Sequence, residues 1–483
     1  MSLPEPSPSV SSAPTTGWGT LRLLTRYHWF VFVVAALGWL ADCMDQQLFN
    51  LARVSAVTEL ISRQMPGDDT ATRVERDKEI KRWASYSTSI FLMGWATGGI
   101  AFGILGDRWG RVRTMLLTIL LYSFFTGLSA LSVGVADFAF YRFLTGLGVG
   151  GEFAVGVALL AETMPGAARP YTLGLLQAFS ALGNVTAALL FMLAGHLEGQ
   201  GFFRELYILG YGPVTPWRLL FVIGTVPALI ALLVRRRLEE PEAWRRQKAM
   251  TSAGYKLGSY SEMLGTPLWR RHALAGLALA FSGVVGLWAI GFFSVDLQQY
   301  VFNASLKEQG LTGADLEGTK KFYAGVTSLV LQLGAFCGMF AFSTITSFTG
   351  RKLAFATFLI LAAGSTALVF LRLNTVGDIL WMVPLMGFCQ LALFGGYAIY
   401  FPELFPTRLR STGTSFCYNV GRFVAAVGPV ALSMLTTRVF HDYAEVDPAL
   451  PFRYAGLTMC SVFAIGLVAL LFLPETKGKP LPE

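Results

Sequence analysis

Trp83–Val133 reads WASYSTSIFLMGWATGGIAFGILGDRWGRVRTMLLTILLYSFFTGLSALSV, two apolar runs joined by one short charged turn. Each run is close to the twenty or so residues that a helix needs to cross a hydrocarbon core of roughly 30 Å. The turn gathers Asp107, Arg108, Arg111 and Arg113. Charge confined to turns and apolar side chains confined to runs describe a chain threaded through a bilayer. The pattern recurs along the sequence: apolar spans fall at about Tyr27–Leu51, Trp83–Leu105, Thr114–Val133, Phe138–Leu160, Tyr171–Leu197, Pro216–Val234, His272–Val301, Phe322–Phe348, Leu353–Leu371, Asp378–Tyr400, Thr412–Thr436 and Phe452–Leu473. Twelve such spans predict an all-α membrane protein. The composition agrees, since 54% of the 483 residues are hydrophobic and 14% charged, against about a quarter charged in soluble domains. The net charge of +8 sits in short loops beside the spans, so the expected partner is the lipid bilayer and not nucleic acid.

Lys and Arg also set the orientation. Arg22 and Arg26, Arg108 to Arg113, Arg169, the cluster Arg235 to Arg271, Arg351, Lys352, Arg408, Arg410 and Lys477 fall on one side of the threading. Both termini are therefore predicted to be cytoplasmic, in the cell inner membrane. The stretch Arg63–Arg82 is basic on the other side, but mixed with acids that orient weakly. The divisions expected are a disordered cytoplasmic tail over 1–26, an N-terminal six-helix bundle over 27–234 and a cytoplasmic linker over 235–271. A C-terminal six-helix bundle over 272–473 and a cytoplasmic tail over 474–483 follow. External insertions are expected at 54–82 and at Glu198–Thr215. The halves repeat: Glu162–Thr–Met–Pro165 leading to Arg169 returns as Glu403–Leu–Phe–Pro406 leading to Arg410, and Gly110–Arg111 returns as Gly350–Arg351. Two bundles in the same orientation imply a pseudo-two-fold axis along the membrane normal, with a solute site between them. The five cysteines read as small buried hydrophobes. His28, His196, His272 and His441 form no metal constellation, so no metal, cofactor or enzymatic centre is expected.

The stretch Gly103–Ile–Leu–Gly–Asp107–Arg108–Trp–Gly110–Arg111–Val–Arg113 resembles the cytoplasmic loop signature of the major facilitator superfamily. That resemblance implies its fold of twelve helices in two bundles. It also implies a gate in which Gly103 and Gly110 allow close helices and a tight turn, while Asp107, Arg108 and Arg111 latch the halves. The second copy carries Ser347 in place of the aspartate, so its latch is expected to be weak or absent. Glu162 with Arg169 and Glu403 with Arg410 resemble the charged pairs at helix ends of sugar and metabolite porters, and complete the gating set. Glu240–Pro241–Glu242 with Trp244 and Pro474–Glu–Thr–Lys–Gly478 are similar to segments that follow the sixth and twelfth helices of sugar porters. Arg142 to Glu152, with Gly146, Gly148, Gly150 and Gly151, resembles the superfamily's fourth-helix signature. No strand precedes it, which removes the dinucleotide-binding reading of its glycines.

Arg142 lies within an apolar span, where it either meets a partner or snorkels to the interface. Asp42 and Asp45 share one face of the first span. Their D-x-x-D spacing resembles the first helix of sialic-acid and aromatic-acid proton symporters. The resemblance implies that Asp45, paired with Arg142, couples a proton, with Asp42 as a second candidate. Burial and a neighbouring guanidinium act in opposite directions on a carboxylate's hold on its proton, so breaking the pair would release or bind one. A static pair that fixes helix packing is the other reading. For the solute, polar and aromatic side chains at depth are the candidates: Gln46, Phe49, Gln177, Asn184, Trp288, Gln332, Gln390, Tyr418, Asn419 and Arg422. Arg422 suits a carboxylate. The seventh-helix glutamine pattern of sugar porters is not found; Asp296, Gln298 and Gln299 stand there instead. The function expected is proton-coupled symport of a small organic anion by one chain acting as a monomer. A sugar or other polar-metabolite facilitator or exporter of the same fold is the alternative.

Overall fold

The computed structural model describes residues 17–483, apart from 68, 201, 206, 209–211, 228–236, 251–255, 288–291, 309, 311–312, 426–433 and 448. Among the described residues, nine helices are long and apolar enough to cross a membrane. The N-terminal half contains α1 (Arg26–Gln64), α2 (Thr70–Trp109), α3 (Arg111–Ala130), α4 (Val135–Thr163), α5 (Arg169–Gly199) and α6 (Pro216–Ile223). Two short helices, α7 (Glu242–Ala249) and α8 (Tyr260–Gly265), lie in the linker. The C-terminal half follows with α9 (Pro267–Val285), α10 (Phe292–Glu308), α11 (Gly313–Thr349), α12 (Arg351–Arg372), α13 (Val376–Leu404), α14 (Arg410–Ala425), α15 (Leu450–Met459) and α16 (Val462–Phe472). A two-residue antiparallel ladder pairs Tyr207–Ile208 with Gly212–Pro213 in the Glu198–Thr215 insertion. The architecture is the expected all-α one, with long apolar helices in both halves among the described residues.

The repeat seen in the sequence is carried by packing. Gly94 and Gly98 of α2 let that helix lie against the carbonyls of Phe143 and Leu147 on α4. Gly334 and Gly338 of α11 do the same against Pro384 and Phe388 on α13. A side chain at any of the four would strike backbone, which is why small residues stand where membrane helices approach most closely. Gly110 and Gly350, with φ of +123° and +95°, each make a one-residue turn into the next helix. The two following helix N-termini are then clamped alike. Glu240 accepts from the N–H groups of Arg111, Val112 and Arg113 at 2.7, 3.2 and 3.1 Å. Glu475 accepts from those of Arg351 and Lys352 at 2.9 and 3.0 Å. A carboxylate satisfies the orphan donors of a first turn and opposes the helix dipole there.

Three boundaries differ from expectation. The external insertion at 54–82 is not a separate loop: α1 runs on to Gln64 and α2 begins at Thr70. Ser55–Gln64 and Thr70–Arg82 hold no Gly or Pro and many good helix formers, so the helices continue past the apolar boundary until Pro66–Gly67 breaks them. Within the tail expected over 1–26, Gly17–Leu23 forms a 3-10 turn that sets Trp18 between the halves. The tail after Leu473 folds back, with Leu481 against the core and the Pro482 carbonyl accepting from Arg410 at 2.8 Å.

Candidate functional site

A cavity of about 250 Å³ opens between the halves. It takes Gln46 from α1, Gln177 and Asn184 from α5, Gln332 from α11, Gln390 from α13, and Tyr418 and Arg422 from α14. Seven of the ten expected solute residues are thus brought to one place. Arg422 is the one charged residue among the described lining residues. Its Nη1 donates to the Tyr418 carbonyl at 2.6 Å and to Asn419 Oδ1 at 2.9 Å. Its guanidinium carbon lies 4.2 Å from the Trp95 ring and 4.3 Å from the Tyr418 ring, leaving Nε without a hydrogen-bond partner among the described residues. Gln177 Oε1 and Gln332 Oε1 are likewise buried and unpartnered, whereas Gln390 Nε2 donates to Thr366 at 2.6 Å.

Phe49 does not line the cavity. It is fully buried in the N-terminal bundle, against Phe91 and Phe138, with the Arg142 guanidinium 5.5 Å from its ring. Asn419 does not line it either: its amide crosses the seam between the halves to the Gly150 carbonyl at 3.2 Å. Both sit on the helix face turned away from the opening. Trp288 lies outside the described residues, as do the side chains of Asp296 and Gln299. Trp39, Gln47, Asn50, Trp95, Ser180, Ser328 and Phe394 line the cavity without having been singled out. A polar stripe at helical spacing, Gln46, Gln47 and Asn50, was the signal for two of them. The aromatic members read as span filler.

Asp45 and Arg142 meet, with Nη1 3.9 Å from Oδ2 and both side chains fully buried. Their setting differs from expectation, because neither reaches the cavity. Arg142 donates to Ser129 Oγ from Nε at 3.0 Å and from Nη2 at 2.7 Å, and its guanidinium stacks 4.7 Å from Phe221. The backbone at Gly224 closes the other side, bringing Asp45 Oδ1 to 3.1 Å from where a Cβ would stand. Asp42, one turn earlier, is 1% exposed. The pair is therefore dry in this conformation, and water reaches it only through a rearrangement.

The cavity is closed at the end that carries both termini. Asp107 at the end of α2 accepts from the first turn of α14: Ser411 N–H at 3.1 Å, Thr412 N–H at 2.9 Å and Thr412 Oγ1 at 2.6 Å. Arg111 holds Asp107 at 2.9 Å and Glu162 at 2.8 Å, and donates across the seam to the Thr407 carbonyl at 2.7 Å. Gly103 permits this approach, since a Cβ there would lie 2.7 Å from that of Ser415. Arg108 donates to the Leu257 carbonyl at 3.0 Å. The charged pairs expected seven residues apart do not form. Glu162 instead crosses to Arg410 of the other half at 2.8 Å, and Glu403 binds Arg351 at 2.9 Å. Arg169 Nε has no hydrogen-bond partner among the described residues. A Glu ending one helix and an Arg opening the next point to opposite sides of the turn between them, so each finds its partner on another element.

The second seam, between α5 and α11, is built differently. Ser347 donates to the Ser343 carbonyl of its own helix at 2.8 Å. The position matching Ser411 is Pro170, which has no N–H to offer. Trp18 fills the place, stacked 4.1 Å from Phe340, edge-on to Tyr171 at 4.8 Å, and donating to Thr344 at 2.9 Å.

The chain resembles known transport proteins over most of its length. It is 29% identical over 396 residues to a cis,cis-muconate transport protein of Acinetobacter baylyi, covering 81% of this chain and 85% of that one. It is 26% identical over 354 residues to the sialic acid transporter NanX of Escherichia coli, covering 72% and 75%. The solved structure of the proton:xylose symporter XylE, bound to 6-bromo-6-deoxy-D-glucose, superposes with a TM-score of 0.67 at 17% identity, over 94% of this chain and 98% of that one. That likeness speaks to the fold. Residues 82–429 match the Major Facilitator Superfamily, and the chain belongs to that superfamily, a membrane transporter and not an enzyme.

Proposed function

We propose that this transporter is a proton-coupled symporter of a small organic anion, working by alternating access between the two bundles. The observation that carries the substrate class is Arg422, a fixed cation at the cavity wall, held against two rings and with Nε unpartnered among the described residues. A guanidinium presented in this way binds a carboxylate by charge-assisted hydrogen bonds. The muconate and sialic acid carried by the named relatives fit that class. The end bearing the termini also bears Arg108, Arg111, Arg351 and Arg410, which supports a cytoplasmic assignment for that end in an inner membrane. The conformation described is then outward-facing. Asp45 and Arg142 are the proton-coupling pair in this reading, with the Asp107, Arg108, Glu162 and Arg410 contacts as the inner gate. The described lining residues come from both halves of one chain, which supports a monomer as the working unit.

A sugar or other neutral metabolite carrier of the same fold is favoured by one observation, the carboxamides of Gln46, Gln47, Asn50, Gln177, Asn184, Gln332 and Gln390 around the cavity. Thermal-shift measurements across carboxylates, sugars and amines separate the two readings: the anion reading requires that carboxylates alone stabilise, and that Arg422→Gln removes the shift. Uptake into proteoliposomes under an imposed pH gradient tests coupling. Accumulation indifferent to the gradient would end the symport claim. Asp45→Asn is expected to abolish gradient-driven accumulation and to leave exchange intact.

A further inference from the structure

The N-terminal bundle encloses a third carboxylate that neither the pair nor the gate uses. Glu152 on α4 is 2% exposed, and neither of its oxygens has a hydrogen-bond partner among the described residues. It lies against α1 at Gly38, where an added Cβ would strike Oε1 and stand 3.7 Å from Cδ. Gly38 is one helical turn before Asp42, so the two carboxyl groups occupy neighbouring positions on one helix face. Asp42 Oδ1 is also unpartnered.

The titratable groups beside Glu152 come from two other helices, Asp42 and Cys43 from α1 and Tyr122 from α3; Asp42 in turn faces Asp45 and Arg422. On its own helix, Arg142 stands ten residues earlier, held by Ser129 and Asp45. Arg422 is held by Tyr418 and Asn419. Among the described residues, therefore, no donor or cation binds Glu152 directly. An ionised carboxylate in such a place has lost its water without gaining a partner, the least favourable state open to it.

We infer that Glu152 binds a proton, exchanged with Asp42, at a site distinct from the Asp45–Arg142 pair. The inference rests on the symport reading and deepens it. Asp42 faces both Glu152 and Arg422, the cation that lines the cavity. A carboxylate solute arriving at Arg422 takes up the positive charge that Asp42 faces. A proton on the Asp42–Glu152 couple then restores the balance, so solute and proton are taken up together. With a second proton on Asp45, a monoanion travels with two protons and one net positive charge per cycle.

Infrared difference titration of the purified transporter tests this without any solute. The wild type is expected to show the carbonyl stretch of a protonated carboxyl that disappears on titration to alkaline pH. Glu152→Gln, isosteric and checked for monodispersity, should lose that band, Asp45→Asn should keep it, and Gly38→Ala should shift it by displacing the carboxyl. A band unchanged in Glu152→Gln overturns the assignment. In proteoliposomes with cis,cis-muconate as the probe, Glu152→Gln should lower gradient-driven uptake at least tenfold while counterflow persists. Undiminished gradient-driven uptake in that variant also overturns the inference. Wild-type uptake that ignores the gradient, with the infrared band still lost in Glu152→Gln, removes the symport reading and leaves Glu152 as the proton-binding group.

Discussion

Asp107→Asn should move the transporter out of the conformation described. Asp107 accepts from three donors of the α14 first turn, at 2.6 to 3.1 Å, and meets Arg111 at 2.9 Å. The two backbone donors are among the orphan N–H groups at that helix N-terminus, where a negative charge is best placed. Asparagine keeps one acceptor and turns an NH2 group toward a remaining N–H. Hydrogen bonds to charged groups contribute about 1.5–3 kcal/mol each, and the donors recover part of this from water once the seam opens. A net loss of about 2–4 kcal/mol follows, or roughly 30- to 1,000-fold in the ratio of closed to open gate. Spin labels at Arg113 and Thr349, both exposed at this end on opposite halves, report the separation by pulsed dipolar spectroscopy in a background lacking the five cysteines. The distance distribution should shift to longer values in Asp107→Asn. Distributions that superpose on those of the parent would refute the assignment of Asp107 as the latch, since a merely structural role would lower stability without moving the labels.

Trp18→Ala should loosen the other seam alone. Two ring contacts of about 0.5–1.5 kcal/mol each and one hydrogen bond of about 1 kcal/mol are lost, and hydrogen exchange should rise at Tyr171–Gly174 and Phe340–Thr344 while Ser411–Ser415 stays protected. The clamp by Glu475 should be acid-labile. Burial pushes its carboxyl up, but the N–H groups of Arg351, Lys352, Lys477 and Thr476 outweigh it and hold the carboxyl below its ordinary value. Its contribution is therefore complete above the unfolded value of about 4.3 and is lost as pH falls through the lower folded one. Exchange at the first turn of α12 should rise in that acid window, and Glu475→Gln should reproduce the rise at neutral pH.

The spans were legible because apolar length is a local property that the bilayer enforces residue by residue. The ends of α1 and α2 were not, because helix formation does not stop where the apolar run stops; it stops at Pro66–Gly67. Seven cavity residues were legible as polar side chains at depth. Phe49 and Asn419 carried the same signal, but helix rotation turned them elsewhere. The gate was half legible. Its residues repeat visibly along the chain, but the crossing of Glu162 to Arg410 depends on the docking of two bundles, which no spacing encodes. Glu152 sat at the end of the glycine signature and passed for part of it. Its meaning comes from Gly38, more than a hundred residues away, whose missing side chain makes room for it.

The two seams at the closed end are fastened by unlike materials, one by charge and hydrogen bonds inside the bundles, the other by a tryptophan on a peripheral turn. A fastening of the first kind can be undone only by moving the halves. The second can be withdrawn from outside, because Gly17–Leu23 is not itself part of either bundle. Withdrawing that turn takes the wedge with it and should favour the opposite access.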